Sequence, residues 1–195
     1  MKGFDFIYMD NTRRSRKRES THNALKHSAK MQFEKYGIEN VTIEEISEGA
    51  DVSRSTFFTH FDSLDDLLSQ IANEEIDDII SAACSDGKID LDALFTQLTD
   101  DTYKYPSFMC QMLMKSIVSD GNSSVSKIIS LMSKELESRG FGESFESFSS
   151  DDVASIVMGA FFGLIFKKLV NKEEFNDADD LKETIHKLIY IFNNK

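Results

Sequence analysis

Five polar residues between positions 54 and 60 have the chemistry to recognise another molecule through hydrogen bonds. They are Arg54, Ser55, Thr56, Thr59 and His60. The guanidinium is a fork of N–H donors, hydroxyls both donate and accept, and an imidazole can do either. Donors and acceptors of this kind match the base edges and phosphates of duplex DNA. This chemistry requires an element that presents all five side chains on one face.

The stretch from residue 41 to residue 61 predicts such an element, two short helices joined by a tight turn. Thr42 can cap the first helix, and Glu45 three residues later completes a capping box. Asp51 lies where the chain must turn, and Asp tolerates left-handed backbone geometry better than most residues. Ser53 can cap the second helix. The pattern is that of a helix-turn-helix.

Apolar residues are expected to hold the second helix from behind. Phe57 and Phe61 are four apart and share one helical face. A short helix that is buried behind and polar in front is typical of a recognition helix in DNA-binding proteins. We therefore expect DNA contacts from Thr42, Ser53 and the five polar residues named above.

The run from residue 43 to residue 68, IEEISEGADVSRSTFFTHFDSLDDLL, resembles the signature of the TetR family of bacterial transcription regulators. The resemblance covers roughly residues 21–68. It implies that an aromatic residue at the position of Phe58, commonly Tyr, contacts a DNA phosphate. Phe58 is therefore a candidate contact position, although it has no hydroxyl. Leu64 stands where the family often has a phosphate-binding Lys.

The charge distribution separates two ends of the chain. The net charge is −12, but residues 11–35 hold eight Lys or Arg and two acidic residues, net +6. Residues 61–195 hold 12 basic and 25 acidic residues, net −13. One end can therefore lie on phosphate while the other is repelled by it. We expect a flexible arm at residues 1–18 to contact phosphate; the alternative is a solubilising tail. Its basic residues are Arg13, Arg14, Arg16, Lys17 and Arg18.

Hydrophobic residues recur at helical spacing along most of the chain, and no strand pattern is evident. The expected fold is all-α, with a helix-turn-helix domain at residues 19–63 and a ligand-binding and dimerisation domain at residues 64–195. Met9 is an alternative start to Met1.

The segment from Tyr103 to Met114 is rich in aromatic and thioether side chains, which suit an adaptable binding surface. We expect it to line a pocket for a small apolar or amphipathic effector; ordinary core packing is the alternative. The expected lining is Tyr103, Phe108, Met109, Met112, Leu113, Phe161, Phe162 and Ile165.

The last two predicted helices, Asp151–Asn171 and Asp177–Phe192, are candidates for self-association. Small residues recur every fourth position at Ser155, Gly159 and Gly163, which lets another helix approach closely. The alternative is tight packing inside one chain. The resemblance implies that subunits pair through these helices. The expected interface is Val157, Gly159, Ala160, Gly163, Leu164, Ile185, Ile189 and Phe192.

Other functional classes are not favoured by the sequence. The four His and two Cys have no metal-ligand spacing, and no phosphate loop or nucleophile motif occurs, so we expect no metal, no cofactor and no enzyme. Without a signal peptide or a spanning helix, Cys84 and Cys110 are expected to be thiols in a bacterial cytoplasm. The predicted function is a repressor that a ligand releases from a palindromic operator. The alternatives are a protein-interaction module of the same fold and an enzyme that uses the apolar pocket.

Overall fold

The computed structural model describes residues 4–85, 88–118, 124–140 and 148–193. Helices make up nearly all of these residues, which confirms the expected all-α class. The chain divides into two compact units, Met1–Ile71 and Ala72–Lys195.

The first unit consists of helices connected by short turns. The first helix, α1 (Phe4–Tyr36), is followed by Gly37, whose φ of 83° is easily adopted by glycine. The Gly37 N–H donates to the Phe33 carbonyl at 2.9 Å and closes the helix end. The elements are α1 (Phe4–Tyr36), a 3-10 turn (Ile38–Asn40), α2 (Ile43–Gly49), α3 (Arg54–Phe57) and the start of α4 (Leu64–Ala83).

Helix α1 is longer than the sequence pattern predicted. We expected a flexible arm at residues 1–18 and a helix from about Thr21, but the helix begins at Phe4. The stretch from Phe4 to Tyr36 contains no Pro or Gly, and Arg, Lys, Glu and Ala all favour helix. The charged run is therefore a continuation of the helix rather than an arm.

The domain boundary also lies later than predicted. The units divide between Ile71 and Ala72, inside α4, rather than between residues 63 and 64. The reason is burial, because Leu67, Leu68 and Ile71 on the first turns of α4 are at most 5% exposed. These residues belong to the core of the first unit.

The second unit is built around a single apolar cluster. It begins on the later part of α4 and draws side chains from every helix that follows, Phe95, Met132 and Phe161 among them. Its further elements are β1 (Cys84–Ser85), β2 (Lys88–Ile89), α5 (Leu91–Lys104), α6 (Pro106–Val118), α7 (Ser124–Ser138), α8 (Ser150–Asn171) and α9 (Asp179–Asn193). The antiparallel pairing of β1 and β2 was not predicted, since two-residue strands leave no alternation to detect.

Helix α8 is long and apolar enough, by length and composition, to cross a membrane. It packs against α6, α7 and α9. Val153, Val157, Phe161 and Ile165 on one of its faces are at most 4% exposed. One face of α8 therefore lies in the core of the second unit.

Candidate nucleic-acid interface

Helix α2 begins with the predicted capping box. Thr42 Oγ1 accepts from the Glu45 N–H at 3.3 Å, and the Thr42 N–H donates to Glu45 Oε2 at 2.8 Å. These backbone and side-chain bonds from Thr42 lower the pKa of the Glu45 carboxyl below its usual range. The Thr42 hydroxyl and the Glu45 carboxylate therefore cap the N-terminus of α2, and the Thr42 side chain remains exposed.

The turn between α2 and α3 has the geometry that the sequence predicted. Asp51 has φ of 54°, in the left-handed region. Ser53 caps α3 by accepting from the Thr56 N–H at 3.2 Å. The Ser53 hydroxyl also lies 2.8 Å from Ser55 Oγ and 2.9 Å from Thr56 Oγ1. Three of the predicted DNA contacts therefore form one hydroxyl cluster at the start of α3.

Buried residues fix the position of this motif. Ile46 and Phe57 are fully buried and Phe61 is 1% exposed. Ser28 on α1 donates to the Ile46 carbonyl at 2.8 Å. A Cβ on Gly49 would lie 2.3 Å from Ser28 Oγ, so α1 and α2 are in direct contact at this point. The recognition segment is held from behind, as expected.

The face opposite these anchors carries the predicted polar groups. Arg54, Ser55 and Thr59 are exposed, whereas Thr56 and His60 are half-buried. Thr59 Oγ1 donates to the Thr56 carbonyl at 2.6 Å, an interaction that leaves its lone pairs available as acceptors. The structure therefore brings the predicted recognition residues together on one short segment.

His60 lies at the edge of this face. Its ring centroid is 5.6 Å from that of His22, whose ring stacks on Phe61 at 4.6 Å. Burial lowers the pKa of His60, and the positive charge of Arg18 lowers it further. The neutral imidazole is therefore favoured in the absence of DNA.

Glu44 is a site residue that the sequence analysis did not identify. Its Oε1 is 2.7 Å from Arg54 Nε, across the turn between α2 and α3. The Arg54 guanidinium carbon also lies 5.4 Å from the centroid of the Phe58 ring, which is 45% exposed. Glu44 and Arg54 are ten positions apart, so only the turn geometry brings them together.

The five basic residues of the predicted arm lie on α1, and all of them are exposed: Arg13, Arg14, Arg16, Lys17 and Arg18. Arg16 Nε donates to the Thr12 carbonyl at 3.3 Å. The cations are thus displayed on a helix rather than on a flexible segment.

Four of the eight side chains expected to line a ligand pocket are buried in the described part of the chain. Phe108, Met109, Phe161 and Ile165 are at most 5% exposed, and Phe161 packs on the Phe95 ring at 5.8 Å. Tyr103, Met112 and Phe162 are half-buried, and the Leu113 side chain lies outside the described residues. Periodicity identified these as apolar positions without showing that they fill the core.

Two open clefts lie elsewhere in the second unit. One, of about 260 Å³, is lined mainly by α5 and α9, and His186 Nδ1 lies 2.8 Å from Asp92 Oδ1 at its edge. The other, of about 380 Å³, is lined by β2, the start of α5 and the end of α7. Both have charged linings, unlike the predicted apolar pocket.

The predicted dimer residues divide into two groups. Gly159 and Gly163 are exposed, and Ala160 and Leu164 are half-buried. Val157, Ile185 and Ile189 are at most 5% exposed within the monomer, where they belong to the core of the second unit. The Phe192 side chain lies outside the described residues.

Within the described part of the chain, no group of three or more His, Cys, Asp or Glu side chains could hold a metal ion. Cys84 is exposed and Cys110 is buried, and neither forms a disulfide in the described part of the chain.

The site is similar in sequence to one family of known proteins. A profile described as bacterial regulatory proteins, tetR family, matches residues 26–71, which include all of α2 and α3. No curated protein sequence matches the chain.

Solved structures of regulators match nearly the whole chain. The fatty acid degradation regulator FadR from Bacillus halodurans superposes with a TM-score of 0.67 at 15% identity, over 86% of this chain and 93% of its own. NalD from Pseudomonas aeruginosa, the secondary repressor of the MexAB-OprM multidrug efflux pump, gives 0.55 at 17% identity, over 87% and 96%. The dihydroxyacetone kinase operon activator DhaS gives 0.59 at 11% identity, over 88% and 93%. The chain thus has the fold of these solved regulators, and residues 26–71, which include the helix-turn-helix, are similar to the tetR family of bacterial regulatory proteins.

Proposed function

We propose that this protein is a transcriptional repressor that binds a palindromic operator as a homodimer and is released by a small apolar or amphipathic ligand. The observation that carries the proposal is the polar face of α3, which is exposed in front of the buried anchors Ile46, Phe57 and Phe61. A short helix supported in this way can enter the major groove without unfolding its own core.

The charge of α1 supports DNA as the partner. Its five exposed cations between Arg13 and Arg18 precede the helix-turn-helix in the same compact unit. Each phosphate that they neutralise releases counterions, so binding should weaken steeply as salt increases. The Thr42, Ser53 and Ser55 hydroxyls can add phosphate or base contacts.

The exposed face of α8 supports a homodimer. Ile156, Phe166 and Val170 on this face are 46%, 37% and 78% exposed. A Cβ on Gly159 or Gly163 would meet nothing within 4 Å, so nothing in the monomer requires glycine at either position. Glycine in a helix costs up to about 1 kcal/mol relative to alanine, and close approach of a second copy would offset that cost.

Two neighbouring residues on α5 support an amphipathic effector. Thr102 on α5 is fully buried, and its Oγ1 has no hydrogen-bond partner among the described residues. Next to it, burial raises the pKa of Tyr103, whose ring meets Phe175 edge-on at 5.2 Å. A buried hydroxyl without a partner is a suitable anchor for the polar group of an amphipathic ligand. A fatty acid is the first compound to test, because FadR is named for fatty acid degradation.

The proposed release is a coupling free energy between two sites. A ligand that binds better to one conformation of the second unit would increase the population of that conformation. In it, the two recognition helices of the homodimer would no longer have the spacing that DNA requires. Repression is chosen over activation by analogy with NalD, although DhaS is named an activator. The proposed location is the bacterial cytoplasm, and no catalytic role is proposed.

A gel-shift experiment tests the proposal. The probe is the DNA upstream of the protein's own gene, with a shuffled duplex of equal length as the control. We expect a shifted band for the upstream probe alone and its loss on adding a fatty acid. Equal binding to both duplexes, or no shift, would contradict sequence-specific repression. Of these two outcomes, the absence of any shift would also favour a partner protein, rather than DNA, as the target.

A further inference from the structure

Arg54, the first residue of α3, is held by two neighbours before any DNA is present. On one side, Glu44 Oε1 lies 2.7 Å from its Nε. On the other side, the Phe58 ring lies 5.4 Å from the guanidinium carbon, within the range of a cation–π contact. The Arg54 side chain is nevertheless 60% exposed, so part of it faces solvent.

The position of Glu44 determines which part of the guanidinium can meet a ligand. Arginine has five N–H donors, one on Nε and two on each terminal nitrogen. Because the carboxylate contacts Nε, N–H donors on Nη1 and Nη2 are left for a ligand. Two parallel donors of this kind match the O6 and N7 acceptors of guanine in the major groove.

The charge of the pair argues against a phosphate as the target of Arg54. Glu44 is 55% exposed and carries a negative charge beside the guanidinium. A phosphate that approached Arg54 would also approach this carboxylate, and the repulsion would offset much of the attraction. A base edge carries no net charge, so the cost to a guanine contact is smaller.

We propose that Arg54 reads a guanine in each half-site, and that Glu44 and Phe58 are positioning residues that orient its guanidinium. The proposal rests on the DNA-binding function proposed above and specifies the base that the site recognises. Glu44 fixes the direction of the fork, and Phe58 fixes the plane in which it lies. Holding a flexible side chain in its bound geometry beforehand lowers the entropic cost of binding.

This arrangement predicts different effects for the two positioning residues. Glu44→Gln removes a negative charge, so affinity for random duplex should rise while preference for guanine falls. Phe58→Leu leaves the charge unchanged, so preference for guanine should fall with no change in the salt dependence. A residue with a merely structural role would change neither quantity in this manner. Because the ion pair is exposed, both variants are expected to remain folded.

The experiment selects binding sites for the full-length protein from a library of randomised duplexes. Affinity is then measured for the best site and for its single-base variants at several salt concentrations. The proteins are wild type, Arg54→Lys, Glu44→Gln and Phe58→Leu, with Arg14→Gln as the control for a cation expected to contact phosphate. Melting temperatures verify that each variant is folded.

Arg54→Lys should abolish most of the discrimination at one G·C pair per half-site, a loss of roughly 5- to 150-fold. Arg14→Gln should weaken all sequences equally and reduce the salt slope by about 0.9. If Arg54→Lys behaved like Arg14→Gln, or kept the guanine preference, the assignment of Arg54 would be overturned while the proposed function stood. If wild type selected no sequence at all, the proposed function would fail, and this assignment with it.

Discussion

At the scale of one residue, a single substitution at Phe58 is expected to increase DNA affinity. Phe58 is 45% exposed beside Arg54, at a position where the resemblance to the TetR family implies a Tyr. Phe58→Tyr keeps the ring that contacts Arg54 and adds a hydroxyl that can donate to a phosphate. We expect DNA affinity to increase by roughly 0.5–1.5 kcal/mol, the net value of one hydrogen bond. Fluorescence anisotropy with a fixed operator duplex measures the change; unchanged affinity would mean that this position does not face a phosphate.

The Thr42 cap makes a pH-dependent prediction. Thr42→Ala should destabilise the protein by about 1 kcal/mol at pH 7, whereas Thr42→Ser should have a small effect. The folded state lowers the pKa of Glu45 from its usual value of 4.5. Its contribution is therefore complete above pH 4.5 and is lost as pH falls through the lower, folded value. Urea unfolding at about pH 7 and pH 4 should show a smaller Thr42→Ala penalty at the lower pH, because the variant loses the bond from the Thr42 hydroxyl to the Glu45 carboxylate. An equal penalty would show that this bond does not stabilise the cap.

The accuracy of the sequence analysis varied with the range of each interaction. The caps at Thr42 and Ser53 and the left-handed Asp51 were predicted correctly, because each depends on residues within four positions. The contact between Glu44 and Arg54 was missed, since it depends on the turn that folds α2 back on α3. Local chemistry is evident in a sequence, whereas contacts across a turn require coordinates.

At the scale of elements, the contact between α1 and α2 depends on the absence of a side chain at Gly49. A Cβ there would lie 2.3 Å from Ser28 Oγ, which is fixed by its bond to the Ile46 carbonyl. Gly49→Ala should therefore destabilise the protein by roughly 1–3 kcal/mol, as overpacking does.

A double-mutant cycle makes this prediction sharper. In a Ser28→Ala background the hydroxyl is gone, and the two remaining neighbours, the Cβ of residue 28 at 3.4 Å and Gln32 Nε2 at 3.5 Å, are at ordinary contact distances. Gly49→Ala should then be neutral or slightly stabilising, because alanine favours helix over glycine. Guanidinium unfolding of the four proteins measures the coupling. Additive effects would show that the two side chains do not compete for the same space.

The basic part of α1 should govern the salt dependence of DNA binding. Deleting residues 1–18 removes five exposed cations, and each lost phosphate contact should lower the salt slope by about 0.9. Deleting only residues 1–11 keeps all five and serves as the control. Measuring the DNA affinity of both deletion variants at several salt concentrations tests this prediction. If the longer deletion retained the full slope, this segment would not contact phosphate.

Periodicity along helices located apolar faces but not their partners. Val157, Ile185 and Ile189 have the spacing of an interface, yet they are buried in their own chain. Gly159 and Gly163 lie on the opposite, exposed face of α8. Apolar residues at every third or fourth position show that one face of a helix is buried. Only the packed structure shows whether the same chain or a second copy buries it.

At the scale of the whole molecule, sequence-specific binding requires two recognition helices that read two half-sites. A recognition helix of four residues contacts few base pairs, which is little discrimination among the competing sites of a genome. Two copies related by a two-fold axis would read half-sites about 34–36 Å apart, or a multiple of that distance. A surface that joins two chains is thus a requirement of the proposed function, and the exposed face of α8 is its candidate.

Gly163→Glu tests that surface. Nothing lies within 4 Å of the added Cβ in the monomer, so the folded chain should tolerate the change. In a dimer the same position would place an unpaired charge between two helices, at a cost of several kcal/mol if it stays buried. Wild type should scatter light as two chains, and the variant as one folded chain that has lost its operator affinity. Ser130→Glu, on the exposed surface of α7, adds the same charge and should remain dimeric. A monomeric wild type, or a Gly163→Glu protein that dimerises and binds DNA normally, would show that α8 does not join the subunits.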